Sequence, residues 1–145
     1  MTKPRTPRQA PPKAPPPPGL PDEITTTARG FMESRILLSA VELDLFTHVG
    51  AGATAEAVAS AAGTNPRATT TILNALVAMG YLTKRAGTYA CGPLAARYLA
   101  AGGPDDARAA LRHNLSLWQT WSTLTECVRR GTTVRTEEMV DRGDD

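Results

Sequence analysis

Cysteine, histidine and aromatic side chains are all scarce in this 145-residue chain, which has two, two and seven of them. Each shortage closes a class of function. Cys91 and Cys127 stand 36 positions apart with no CxxC, and His48 and His113 add too few ligands at the wrong spacing for a zinc site. Free thiols in a reducing compartment and no metal are expected. No stretch approaches the roughly 18 apolar residues of a membrane span, because the run from Ile36 to Phe46 is interrupted by Ser39, Glu42 and Asp44. A secretory signal is missing too, since the basic N-terminus runs into prolines and not into an apolar segment. The expectation is a soluble, cytoplasmic protein.

Excess positive charge is lacking where nucleic acid would need it. Lys3, Arg5, Arg8 and Lys13 give the first 21 residues a charge of +4, whereas the remainder carries −2, so the formal +2 of the chain belongs to its leader. Catalytic signatures are also wanting. There is no GxGxxG after a strand, no GxxxxGK[ST], no GxSxG and no HExxH. The adjacent acids Asp105 and Asp106 read as a helix cap, and neither histidine has a nucleophile or acid implied by spacing. No catalytic, cofactor-binding or metal-ligating residue is assigned.

What the sequence does contain is strong punctuation. Nine of the 12 prolines fall between Pro4 and Pro21, with Leu20 the only large apolar residue there, so residues 1–21 are expected to be a disordered, locally polyproline-II leader. About 124 residues remain, room for one domain. From Ile24 to Val49 the pattern predicts a single long helix, apolar around most of its circumference in its second half apart from the narrow stripe Arg35, Ser39, Glu42. Such a helix needs cover on more than one side, and a second copy of the chain is a natural source. Thr54 is placed to cap a short alanine-rich helix ending at Gly63, and Asn65 followed by Pro66 opens another that Gly80 closes. Residues 81–90 then read as two short strands around Ala86-Gly87. Helix, turn, helix and hairpin in that order describe a winged helix.

Beyond it, Pro93 to Leu99 predicts a short helix, and Asp105 or Asp106 is expected to cap a last long helix to about Arg130. Its heptad-like seam is Ala107, Ala110, Asn114, Leu117, Trp121, Leu124 and Val128, widened by Leu111, Leu115 and Trp118. Residues 132–145 are mostly polar and read as a truncated linker. The fold class expected is therefore mainly α: a winged helix-turn-helix with a small β-hairpin over residues 22–131, flanked by long N- and C-terminal dimerisation helices.

The run Ile36 to Phe46, the small-residue helix ending Ala61-Ala62-Gly63, Arg67, the run Ile72 to Leu82, Tyr89 and the segment Trp121 to Gly131 together resemble the N-terminal dimerisation domain of S-adenosylmethionine-dependent O-methyltransferases, the class that methylates plant phenolics, acetylserotonin and bacterial polyketides. The resemblance covers about Ala28 to Val134. It implies a winged helix that interlocks with its twin in a homodimer and lends side chains to the acceptor pocket. It also implies that S-adenosylmethionine and the catalytic histidine belong to a doubly wound α/β domain. These 145 residues contain no such domain, so the chain alone is expected to be inactive, with a separate catalytic domain as a further possible partner.

In the family the last long helix faces the acceptor, which makes Asn114, Trp118 and Trp121 the candidate substrate-lining residues. The competing expectation is helix register for Asn114 and core packing for the two tryptophans. Two other functions stay open on the residues alone. One is a winged-helix DNA-binding regulator using Arg67, Thr70, Thr71 and Asn74 with Lys84 and Arg85 of the wing, although these are few cations for phosphate neutralisation. The other is a scaffold recruited through the proline-rich leader.

Overall fold

The computed structural model describes residues 19–133, so most of the leader and residues 134–145 of the tail lie outside the described residues. The described part is mainly helical with one small sheet: α1 (Asp22–Arg29), α2 (Phe31–Glu42), α3 (Leu45–Val49), β1 (Ala53–Thr54), α4 (Ala55–Ala62), α5 (Pro66–Ala78), β2 (Leu82–Arg85), β3 (Thr88–Cys91), α6 (Pro93–Tyr98), α7 (Arg108–Ser122) and α8 (Leu124–Arg130). α1 belongs to one compact unit that ends at Gly30, and the other elements to a second that begins at Phe31. By itself α1 buries none of its residues and carries Asp22 and Glu23 in its first turn, where acids favour the helix dipole.

The helix expected from Ile24 to Val49 is three helices. Gly30 ends the first, and Asp44 breaks the remainder with a left-handed φ of 53°. Asp is among the few side chains that tolerate this region. The turn lets α3 bury Leu45, Phe46 and Val49 against a core that includes Ala40 and Val41 of α2, Val58 of α4, Leu73 and Leu76 of α5 and Tyr89 of β3.

The caps read for α4 and α5 act as expected, whereas neither Asp105 nor Asp106 takes the N-cap position of α7, which is Ala107. Thr54 Oγ1 accepts from the Ala57 N–H at 3.3 Å, and Gly63, at φ 64°, ends α4. Asn65 Oδ1 accepts from the Ala68 N–H at 3.1 Å ahead of Pro66 at the start of α5. Between the two helices the only buried polar residue among those described, Thr69, is satisfied by Thr64 Oγ1 at 2.7 Å and Asn65 O at 2.9 Å.

The hairpin turns at Ala86 and Gly87, whose φ values of 47° and 81° give the two-residue geometry that matches strand twist. Lys84 pairs with Tyr89 and Arg85 with Thr88. The sheet has a third strand that the sequence reading lacked. β1 pairs antiparallel with β3, Ala53 opposite Tyr89, giving the order β1-β3-β2.

The last long helix is also divided. It begins at Arg108, two residues after Asp106, and Thr123 (φ −91°, ψ 0°) separates α7 from α8. Thr123 Oγ1 donates to Thr120 O at 2.7 Å, a local bond that competes with continued helix. No helix among the described residues is long and apolar enough to cross a membrane.

Candidate functional site

The surface that stands out runs along α7 and α8. Neither helix buries a single residue. Leu117, Trp121, Leu124 and Val128 recur at four, three and four positions, and they are 41%, 67%, 50% and 75% exposed. That spacing puts them on one stripe. Asn114, one step earlier on the seam, is exposed as well. Core packing, the competing expectation for Trp121, does not hold within this chain.

The other face of α7 rests on α2. Leu111 packs on the core, and the Trp118 ring lies 6.3 Å from that of Phe31 with the Arg35 guanidinium 5.7 Å from its centre. An open concavity of about 930 Å³ lies here, lined by Arg35 and Glu42 of α2 and by α7 residues that include Arg112, His113, Trp118 and Gln119. Of the three residues singled out in the sequence, Trp118 lines this concavity, whereas Asn114 and Trp121 do not. Arg35 and Glu42, read only as a polar stripe, form an ion pair at 3.5 Å on its wall. Their separation of seven positions with opposite charge was the available signal, but α7 had to be placed before it meant anything.

The sequence reading took Asp44 only as a break in an apolar run and did not pair it with Arg108. Arg108 Nη1 donates to Asp44 Oδ1 at 2.8 Å, and Nε and Nη2 donate to the Asp106 carboxylate. These hydrogen bonds from Arg108 hold the Asp106 carboxyl down at about 2, and the two carboxylates raise the guanidinium above its ordinary value. Cys91 donates its thiol to Phe46 O at 3.3 Å, and burial pushes its pKa up, so it is poorly suited to act as a nucleophile.

Two of the groups a DNA reader would extend, Asn74 and Lys84, are exposed but already hydrogen-bonded to each other. Asn74 Oδ1 accepts from both Lys84 Nζ at 2.9 Å and Tyr89 OH at 2.8 Å, and Lys84 lies 4.7 Å from the centre of the Tyr89 ring. Among the described residues no three His, Cys, Asp or Glu side chains gather to hold a metal. Nor do these residues fit S-adenosylmethionine. Their sheet is antiparallel throughout, and the Gly50 to Gly52 turn follows a helix and leads into β1, so no glycine-rich loop links a strand to a helix N-terminus.

A family model described as the O-methyltransferase dimerisation domain matches residues 25–101. The tetracenomycin polyketide synthesis 8-O-methyl transferase TcmO of Streptomyces glaucescens is 37% identical over 114 residues, covering 77% of this chain and 34% of that protein. Acetylserotonin O-methyltransferase of Mus musculus is 33% identical over 112 residues, covering 72% and 29%. Among solved structures, an O-methyltransferase family protein from Burkholderia thailandensis superposes with a TM-score of 0.67 at 29% identity over 74% of this chain and 32% of the other. Human N-acetylserotonin methyltransferase in complex with SAM does so with a TM-score of 0.66 at 25% identity, over 75% and 34%. The chain thus spans about a third of the length of the curated relatives it matches. With more than half of its residues inside the matched domain, the chain belongs to the O-methyltransferase dimerisation domain family.

Proposed function

We propose that this chain supplies the dimerisation and acceptor-lining part of a small-molecule O-methyltransferase, and that α4, α5 and the β2-β3 hairpin serve as a winged helix-turn-helix that binds protein and not DNA. The observation that carries this reading is the uncovered stripe Leu117, Trp121, Leu124 and Val128. A monomer gains nothing from four large apolar side chains in water at heptad spacing, whereas a two-fold partner would cover them all at once.

The acceptor wall falls to α7. Trp118 offers an aromatic surface beside the concavity, and Asn114 and Trp121 would reach an acceptor only in an assembly. A polyketide or an acetylserotonin-like molecule is the class of acceptor suggested by the relatives. Methyl transfer is assigned to a cofactor-binding domain that the described residues do not build.

The test is sedimentation equilibrium of the full chain across a dilution series. A dimer at micromolar concentration is expected, and a monomer there refutes the reading. No observation favours DNA, because Asn74 and Lys84 are committed to each other. Specific duplex retention at about 150 mM salt, lost in Arg67→Ala and Lys84→Ala variants, would reverse that judgement.

A further inference from the structure

α7 starts without a side-chain cap from its own N-cap residue, Ala107. Arg108 does the anchoring instead. Its guanidinium lies between two carboxylates: Nη1 is 2.8 Å from Asp44 Oδ1, and Nε and Nη2 are 2.8 to 3.1 Å from the Asp106 oxygens. The Arg108 backbone N–H donates to Asp106 Oδ1 at 3.0 Å.

The far end of the clamp is just as well tied. Asp44 forms the left-handed corner between α2 and α3, and its Oδ1 accepts from Thr47 Oγ1 at 2.8 Å. Thr47 Oγ1 in turn accepts from the Ala101 N–H at 2.8 Å, in the α6 to α7 connection. One network therefore joins the α2-α3 corner, the connection and the first turn of α7.

This pair is also the least exposed among the ion pairs of the described residues. The Arg108 and Asp44 side chains are 17% and 29% exposed, whereas Arg35 and Glu42 are 43% and 53% exposed. Exposed pairs contribute little to geometry, but a guanidinium forked between carboxylates in a partly dry site fixes direction as well as distance. Aspartate at a left-handed corner, where glycine would be free of strain, is consistent with a side chain that is needed there.

We propose that Arg108, clamped between Asp44 and Asp106, is a positioning residue that sets α7 against α2 and thereby holds Trp118 at the concavity and presents the Leu117 to Val128 stripe. The placement of α7 stands on the contacts above. Its consequence for self-association rests on the dimer reading given under Proposed function.

The molecule carries its own reporter. Its two tryptophans, Trp118 and Trp121, are both on α7, and a partner would cover Trp121, so each variant is made in a Trp121→Phe background where tryptophan emission reads Trp118 alone. The experiment uses the full chain with Arg108→Met, which keeps an apolar stem, Arg108→Lys, which keeps a charge, and Asp44→Asn, which tolerates the left-handed corner and still accepts from Thr47.

Arg108→Met and Asp44→Asn are expected to speed amide exchange in the first turns of α7 by about tenfold and to red-shift the emission, with α4 and α5 keeping their protection. Arg108→Lys is expected to recover most of the protection, because one ammonium still reaches Asp44. Unchanged α7 exchange and emission in both neutralising variants would overturn the proposal. So would equal loosening of α4 and α5, which would make Arg108 a plain stability residue, or a Lys variant as impaired as the Met one. A shift in emission with an unchanged dimer constant would uphold the positioning role and count against the stripe as the dimer seam.

Discussion

Replacing Trp121 by alanine tests the dimer reading most directly, and its effect can be sized from the structure. The side chain is 67% exposed, which for a tryptophan of roughly 250 Å² leaves about 170 Å² in water. At about 25 cal/mol per Å², complete cover by a partner would release about 4 kcal/mol. Interfaces fall short of that conversion because association also costs translational, rotational and side-chain freedom, so about 2 kcal/mol per copy is the working figure. A two-fold dimer loses the contact twice, and about 4 kcal/mol corresponds to a dissociation constant raised on the order of a thousandfold. Such a value is typical of a central aromatic anchor.

Sedimentation equilibrium of the parent chain and Trp121→Ala over the same dilution series measures the change. Far-ultraviolet dichroism should stay the same, since Trp121 is no part of the core and alanine is a good helix former. A dissociation constant altered by less than about threefold would refute the reasoning, because it would leave the one aromatic of the stripe outside any interface.

Other expectations concern the fold around the site. Gly103→Ala would place a Cβ 2.5 Å from Arg97 O and 2.7 Å from Ala96 O, and the displacement of backbone should cost about 1 to 3 kcal/mol in urea unfolding. Tyr89→Phe removes the hydroxyl that donates to Asn74 Oδ1 at 2.8 Å, with an expected loss of about 1 kcal/mol in thermal unfolding, since Lys84 still satisfies Asn74. Asp106 has a folded pKa of about 2, below its ordinary value of 3.8. Its contribution is therefore complete above about pH 4 and lost as pH falls toward about 2. Amide exchange in the first turn of α7 should quicken over that window, and Asp106→Asn should abolish that pH dependence.

The elements that the sequence made legible are those whose ends are set locally. Thr54, Gly63, Asn65-Pro66 and Ala86-Gly87 each act on neighbours within four positions, and each stands where the sequence reading put it. The breaks at Asp44 and Thr123 were hidden for opposite reasons. Asp44 answers to a partner 64 positions away, and Thr123 carries an ordinary helix-interior composition on both sides. β1 is too short at two residues to show any alternation. The exposed stripe was legible because heptad spacing survives the bend at Thr123, with α7 and α8 both adding members. The concavity was not, because Arg35 and Trp118 meet only when two helices far apart in sequence pack together.

Thr54 has two roles, and their union governs how the domain opens. It is the last ladder residue of β1, opposite Thr88, and it is also the cap of α4. Peeling β1 from the sheet edge therefore uncaps α4 in the same event, so the strand and the first turn of the helix form one cooperative unit. Fraying that would ordinarily stop at a two-residue edge strand is passed into a helix whose Val58 and Ala59 are buried. The edge is kept closed by the packing of α4 more than by its own two ladder pairs.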